Sequence, residues 1–305
     1  MDSFAFSYPR YLTAKESVDE RALNGAVSTH FLRRLTEGAP ERIAILEAGG
    51  GTGATLRRLL RRLDETTVSA VDYTLIEARG DNLETARASL REWASSAGYR
   101  VRADGPQVRL DRAPGPVDGL SEVRVTFRQG DLFEVVSADG DAGSYDAVVA
   151  QALLDIVDVE RALRVLGSVL RRGGLWYLPI HFDGVTTFEP RFDPEVDAMV
   201  QRVYHDSMPA PEAGRRILTR LRQLGAELRE VGASDWVVFG GKDGYREDEK
   251  YFLQCIINFV VDEISADDRI PDSVVDEWAA HRWHQIETGT LIYIAHQIDI
   301  CAQKQ

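Results

Sequence analysis

Apolar residues recur along this chain in two periods, one of strands and one of helices. Short apolar, β-branched runs at Ile43–Ala48, Ser69–Ile76, Tyr145–Ala150 and Leu175–Ile180 predict strands, and clean alternation over Val123–Arg128 predicts another. Between them Leu56, Leu59, Leu60 and Leu63 fall at helical spacing, as do Leu83, Ala86, Leu90 and Trp93. A further helix is expected over Val159–Leu170, ended by Gly173-Gly174. Strands alternating with helices of this length predict βαβ units and a parallel sheet, an α/β fold.

The flanks break the alternation. Aromatic residues crowd the first thirteen positions (Phe4, Phe6, Tyr8, Tyr11), and Ala14–Glu37 reads as one amphipathic helix. Residues 98–122 carry Gly98, Gly105, Pro106, Pro114, Gly115, Pro116 and Gly119, a surface excursion with a short strand at Val108–Leu110. Beyond Gly184, helices are expected over Asp193–His205, Glu212–Gly225, Tyr251–Ile264 and Asp272–Glu287. A strand is expected near Asp235–Gly240, and Thr290–Cys301 closes the chain as a long β-branched strand.

The first strand runs into Glu47-Ala-Gly-Gly-Gly-Thr-Gly53 and then a helix, an order that presents backbone N–H groups to a nucleotide. Two patterns overlap there. Gly49, Gly51 and Ala54 satisfy a dinucleotide fingerprint, with Glu77 placed for a ribose. Glu47 ahead of the glycines fits that ligand poorly, because a carboxylate repels a pyrophosphate; it suits a ligand with a positive centre. Gly130-Asp131-Leu132 follows the next strand, where an acid can take the exocyclic amine of adenine.

These residues resemble the class I S-adenosylmethionine-dependent methyltransferases, from about Arg42 to Gly184 and again in the last two strands. Glu47–Gly53 looks like the superfamily's first motif, Glu77 with Ala78 like its ribose-binding acid, and Asp131-Leu132 like its adenine pair. Gln151-Ala-Leu-Leu-Asp155 falls where its fourth motif lies. The resemblance implies a Rossmann-like, doubly wound seven-stranded sheet, mostly parallel with an antiparallel C-terminal strand, plus helical cap insertions. It divides the chain into an N-terminal arm and helix (1–37), a cofactor-binding core (38–184) and an inserted helix with a core helix and strand six (185–240). A helical cap (241–289) and the closing core strand (290–305) follow. It implies S-adenosyl-L-methionine as cofactor, held by Glu47, Gly49, Gly51, Gly53, Glu77, Ala78, Asp131, Leu132 and Gln151. An arm folding over the site would bring Arg21 and Tyr11 to the ligand.

Composition narrows the partner. A formal net charge of −13 argues against nucleic acid, whose binders carry a basic face. The N-terminus has no basic n-region, and the longest apolar run, Phe252–Val261, is too short to span a bilayer, so a soluble cytoplasmic enzyme without a membrane partner is expected. Cys255 and Cys301 read as reduced core residues; His281 and His284 lack acid partners, so no metal is expected. Acceptor chemistry is expected at the open ends of strands four and five. His181, Asp183 and His205 are the catalytic candidates, and Tyr11, Asp155, Tyr204 and Trp236 the substrate-pocket candidates. The expected function is methyl transfer to a small-molecule acceptor. An NAD(P)-dependent oxidoreductase using the same loop, and a non-catalytic relative acting as an interaction protein, are the alternatives. The acceptor atom, the pathway and the oligomeric state are not legible in the sequence.

Overall fold

The computed structural model describes residues 6–112, 119–139 and 142–305; Phe4, Pro114, Gly115 and Pro116 lie outside them. In chain order the first half holds α1 (Tyr8–Ala22), α2 (Gly25–Leu35), β1 (Arg42–Ala48), α3 (Ala54–Leu63), β2 (Ala70–Glu77), α4 (Gly80–Ser96), β3 (Arg100–Asp104), β4 (Gln107–Asp111), β5 (Glu122–Gln129) and α5 (Leu132–Asp139). The second holds β6 (Tyr145–Ala150), α6 (Val159–Val169), β7 (Leu170–Glu189), α7 (Pro194–Ser207), α8 (Ala213–Gln223), β8 (Ala226–Ala233), β9 (Trp236–Phe239), α9 (Glu249–Ser265), α10 (Asp272–Glu287) and β10 (Ile292–Lys304).

The strands form one sheet in the order β3-β4-β5-β2-β1-β6-β7-β10-β8, with β9 also paired to β10. β5, β2, β1, β6 and β7 run parallel, and β10 enters antiparallel between β7 and β8. That is the expected seven-stranded core. The surface excursion adds a hairpin, β3 and β4, to one edge, where only a single short strand was expected.

Both faces of the sheet are covered. Phe31, Leu56, Leu60, Leu83 and Leu90 pack on one side, and the Phe31 ring stacks on Tyr177 at 4.4 Å. Leu163, Leu166, Ile217 and Leu221 pack on the other. A third cluster joins α1, α7, α9 and α10 to the far ends of β7 and β10 around Phe252, Trp278 and Tyr293. Each fully buried side chain of this size contributes roughly 1.5–3 kcal/mol.

Several expectations are corrected. Ala14–Glu37 is two helices, because Asn24 adopts an extended backbone and its side chain accepts from the N–H groups of Ala26 and Val27. Asn24 also donates its own N–H to Asp299 and its amide to the Ala233 carbonyl, which ties the break to the sheet. Asn24→Ala is therefore expected to cost about 1–2 kcal/mol in a denaturant melt; an unchanged midpoint would mean the cap carries no stability. The helix after β6 ends at Val169, and Gly173-Gly174 lie in an irregular stretch within β7, between the pairs Tyr145–Leu170 and Ala147–Leu175. The strand containing Leu175–Ile180 does not stop at His181 but runs to Glu189, because β10 keeps pairing with it as far as Ile292. The region near Asp235–Gly240 holds β9, but the sheet position beyond β10 belongs mainly to β8, whose exposed polar face hides it from an apolar-pattern reading.

Candidate functional site

β1 ends in Glu47 and Ala48, and the chain then turns through three glycines in the left-handed region, Gly49, Gly51 and Gly53 (φ 66°, 51° and 77°). Gly50 is required for a second reason: a Cβ there would sit 2.3 Å from Leu75 Cγ. The turn opens on a cavity of about 330 Å³. Glu47, Gly49–Gly51, Glu77, Ala78, Asp131, Leu132 and Gln151 line it, contributed by the ends of β1, β2, β5 and β6. The carboxyl ends of parallel strands where the order reverses are where open α/β sheets bind ligands.

Three acids differ in their surroundings. Glu77 Oε2 accepts the Gly51 N–H at 2.9 Å, and Oε1 accepts the Arg79 N–H at 2.9 Å and Asn82 Nδ2 at 3.2 Å. It thus braces the glycine turn from the neighbouring strand. Asp131 Oδ1 accepts the N–H of Phe133 at 2.8 Å at the start of α5. Glu47 is 1% exposed and takes the Tyr73 hydroxyl at 2.7 Å; burial pushes its carboxyl up to about 7, although Tyr73 and Arg58 pull it down. A cation arriving in the cavity would favour the ionised form.

This gives a signed expectation. Binding a cationic ligand should weaken as pH falls below about 7, with proton release near neutrality, because Glu47 must ionise. Calorimetry in two buffers of different ionisation enthalpy reads the proton count. Glu47→Gln should abolish the pH dependence; retention of it in the variant would assign it elsewhere.

The sequence missed the other wall. Tyr8, Leu12, Lys15 and Asp19 line the cavity from α1. Their spacing of four, three and four residues is a helical stripe, the signal that could have exposed them. Asp19, 3% exposed, fixes the arm: it accepts from Gln151 Nε2 at 2.8 Å and Trp236 Nε1 at 2.9 Å, and lies 3.0 Å from Lys15 Nζ. Glu16 pairs with Arg57 and Glu20 with Arg58 across to α3. Arg79 also lines the cavity, with its guanidinium 4.9 Å over the Tyr8 ring.

Other sequence candidates lie elsewhere. Arg21 points to the cap, hydrogen-bonded to Glu249 and to the Ser17 carbonyl. Gly53 sits at the start of α3, where a Cβ would press on Ala86 at 3.2 Å. His181 is fully buried, with Nε2 3.1 Å from the Ala150 carbonyl; burial holds it down to about 3, a neutral and weakly basic imidazole. Asp183 is taken up by Arg215, accepting its backbone N–H at 2.9 Å and its Nε at 3.0 Å. His205 packs edge-on against Phe182 within the third cluster. None of these five is among the cavity-lining residues. Tyr11, Tyr204 and Trp236 pack in the third cluster, where Tyr11 stacks on Phe252 at 5.9 Å and Trp236 meets Phe252 at 5.5 Å, while Asp155 lies in the loop after β6; none of these four lines the cavity either.

No protein-family model and no curated protein matches the chain. Solved structures do. A candidate methyltransferase from Bacillus halodurans C-125 superposes over 92% of this chain and 99% of its own, at 13% identity and a TM-score of 0.52. The fold is that of the class I methyltransferases. Two other solved proteins align with TM-scores of 0.45 and 0.46. One is the geranyl diphosphate C-methyltransferase of Streptomyces coelicolor A3(2), at 11% identity over 92% of this chain and 79% of that one. The other is the [4+2]-cyclase SpnF, at 17% identity over 97% and 93%.

Proposed function

We propose that this protein transfers a methyl group from S-adenosyl-L-methionine to a small-molecule acceptor. The reading rests on one observation: a buried carboxyl, Glu47, shares a cavity with the glycine turn, Glu77 and Asp131. The donor set suits the cofactor. Glu47 answers a cationic amino-acid end, Glu77 a ribose diol, and Asp131 beside Leu132 and Phe133 an adenine. When bound, the cofactor supplies an electrophilic methyl on a sulfonium. The chain's own part is positioning and exclusion of water: α1 closes the cavity with Tyr8 and Leu12, whose Cδ1 would stand 3.0 Å from a Cβ on Gly51. Asp155, Tyr11, Tyr204 and Trp236 belong to the acceptor side in this reading. An acidic chain suits a non-nucleic acceptor.

A dinucleotide would bring a pyrophosphate onto the glycine turn beside the Glu47 carboxyl, which disfavours the oxidoreductase reading. Among the described residues no helix is long and apolar enough to cross a membrane. Incubated with S-adenosylmethionine and a low-molecular-weight cell extract, the protein is expected to release S-adenosylhomocysteine. Cofactor binding without any release would favour a non-catalytic protein instead.

A further inference from the structure

β9 is an open edge of the sheet. It pairs with β10 on one side, Trp236–Phe239 against Ile292–Ala295, and among the described residues no other strand and no turn or loop backbone bond reaches it. Trp236 and Val238 are buried against the cap, so Val237 and Phe239 point to the other face, where they are 43% and 47% exposed. Register extends that face: Thr187, Ile294 and Val237 form one row across β7, β10 and β9, and Glu189, Ile292 and Phe239 form the next. Ile292 is exposed there, and so is Val185, two residues before Thr187 on β7. Four of the nine large apolar side chains exposed among the described residues thus gather at this end of the sheet. Proteins that stay single blunt such an edge with a charge, a proline or a bulge. The run Trp236-Val-Val-Phe239 carries none of the three.

We propose that β9 is the docking edge for a second copy of this chain, whose own β9 adds antiparallel to it about a two-fold axis at Val238. The occupant follows from the symmetry of the strand itself. Pairing centred on Val238 sets Val237 opposite Phe239 of the second copy and Phe239 opposite its Val237, so each exposed apolar side chain gains a cross-strand partner. The same register sets Asp235 opposite Gly241 and Ser234 opposite Lys242. Asp235 just before the strand and Lys242 just after it then meet diagonally, so one surface makes two opposite-charge contacts. Both residues are exposed; Asp235 also binds His296 Nδ1 at 2.8 Å, and Lys242 stands in the turn closed by Gly241 and Gly244. An unrelated peptide supplies the backbone bonds but not this reciprocal match. Each copy carries a net charge of −13, so long-range repulsion opposes the pairing and salt relieves it. The paired strand is also the one that anchors the arm, because Trp236 Nε1 donates to Asp19 of α1 at 2.9 Å. The pairing stands whatever the cavity holds.

Sedimentation equilibrium of the full chain over roughly 1–100 µM tests this, since interfaces of modest size associate in that range. The mass should climb from 34.0 kDa toward twice that value as concentration rises, and the dissociation constant should fall several-fold when salt is raised from about 0.05 to about 0.5 M. Val237→Lys with Phe239→Lys should leave a monomer at every concentration, with a melting curve to check that the fold is kept. The register is read separately by oxidation. Val237→Cys with Phe239→Cys should form a covalent dimer, because each cysteine faces its counterpart across the axis. Val237→Cys alone should not, because its two copies then stand about 7–8 Å apart on the diagonal, beyond disulfide reach. Cys255 and Cys301 are buried and do not interfere. A mass that stays at 34.0 kDa, a dimer that survives the double lysine change, or a single-cysteine variant that links as readily as the double one overturns the proposal.

Discussion

Glu77→Ala is expected to weaken S-adenosylhomocysteine binding by at least about a hundredfold while the protein stays folded. Two effects add. A carboxylate hydrogen bond to each ribose hydroxyl is worth about 1.5–3 kcal/mol, and two of them amount to roughly two decades of affinity. The same side chain holds the Gly51 and Arg79 N–H groups and the Asn82 amide, so its loss also frees the glycine turn that the nucleoside must meet. Glu77→Gln keeps the shape and one acceptor oxygen, and should lose roughly tenfold. Fluorescence or calorimetric titration of the three proteins, with melting curves beside them, reads both effects. An alanine variant within threefold of wild type would mean that Glu77 neither touches the ligand nor holds the turn that does.

The largest effect on stability is expected in the cap. Arg282 on α10 is fully buried; its Nη2 donates to Asp197 at 2.6 Å, and its Nη1 to the Pro190 carbonyl at 2.7 Å and to Gln285 at 2.8 Å. Asp197 also takes Trp278 Nε1 at 2.8 Å and the Phe192 N–H at 3.0 Å, so one carboxylate joins α7, α10 and the loop after β7. Removing it strips the buried guanidinium of its hydrogen-bonded carboxylate and leaves only Glu189 within electrostatic reach. Asp197→Ala should therefore cost about 3–5 kcal/mol. The paired change Asp197→Leu with Arg282→Met should recover most of that loss, since neither charge is then stranded. Denaturant melts of the single and double variants decide it; a double variant no more stable than Asp197→Ala would mean that packing, not the stranded charge, sets the cost. Nucleoside affinity should stay within about threefold, because this network lies outside the cavity lining.

These two sites also mark how far the sequence could be read. The core strands were legible because parallel strands buried on both faces need near-continuous apolar runs, as in Ala147–Ala150 of β6. The acids Glu47, Glu77 and Asp131 were legible because each follows such a run, and chain order alone carries them to one end of the sheet. Elements whose pattern depends on a neighbour were not. The hairpin strand Arg100–Asp104 is almost wholly exposed and polar, and Ala226–Ala233 is an edge strand with one wet face. Asn24 interrupts a helical period that continues on both sides, so only its capping chemistry reveals the break. His181 and Asp183 looked catalytic because their strand was expected to end there; β10 extends it, and both side chains are buried in its packing. The arm's contribution required knowing which face of α1 meets the cavity. Tyr8, Leu12, Lys15 and Asp19 lie on that face, whereas Arg21 faces α9.

The central claim, that the acid-flanked glycine turn holds an S-adenosyl nucleoside, is tested most directly by calorimetric titration of the purified protein with S-adenosylhomocysteine and, separately, with NAD. S-adenosylhomocysteine is expected to bind at one equivalent per chain with a dissociation constant in the micromolar range, while NAD gives no heat beyond dilution. Saturable binding of NAD with none of S-adenosylhomocysteine would contradict the account.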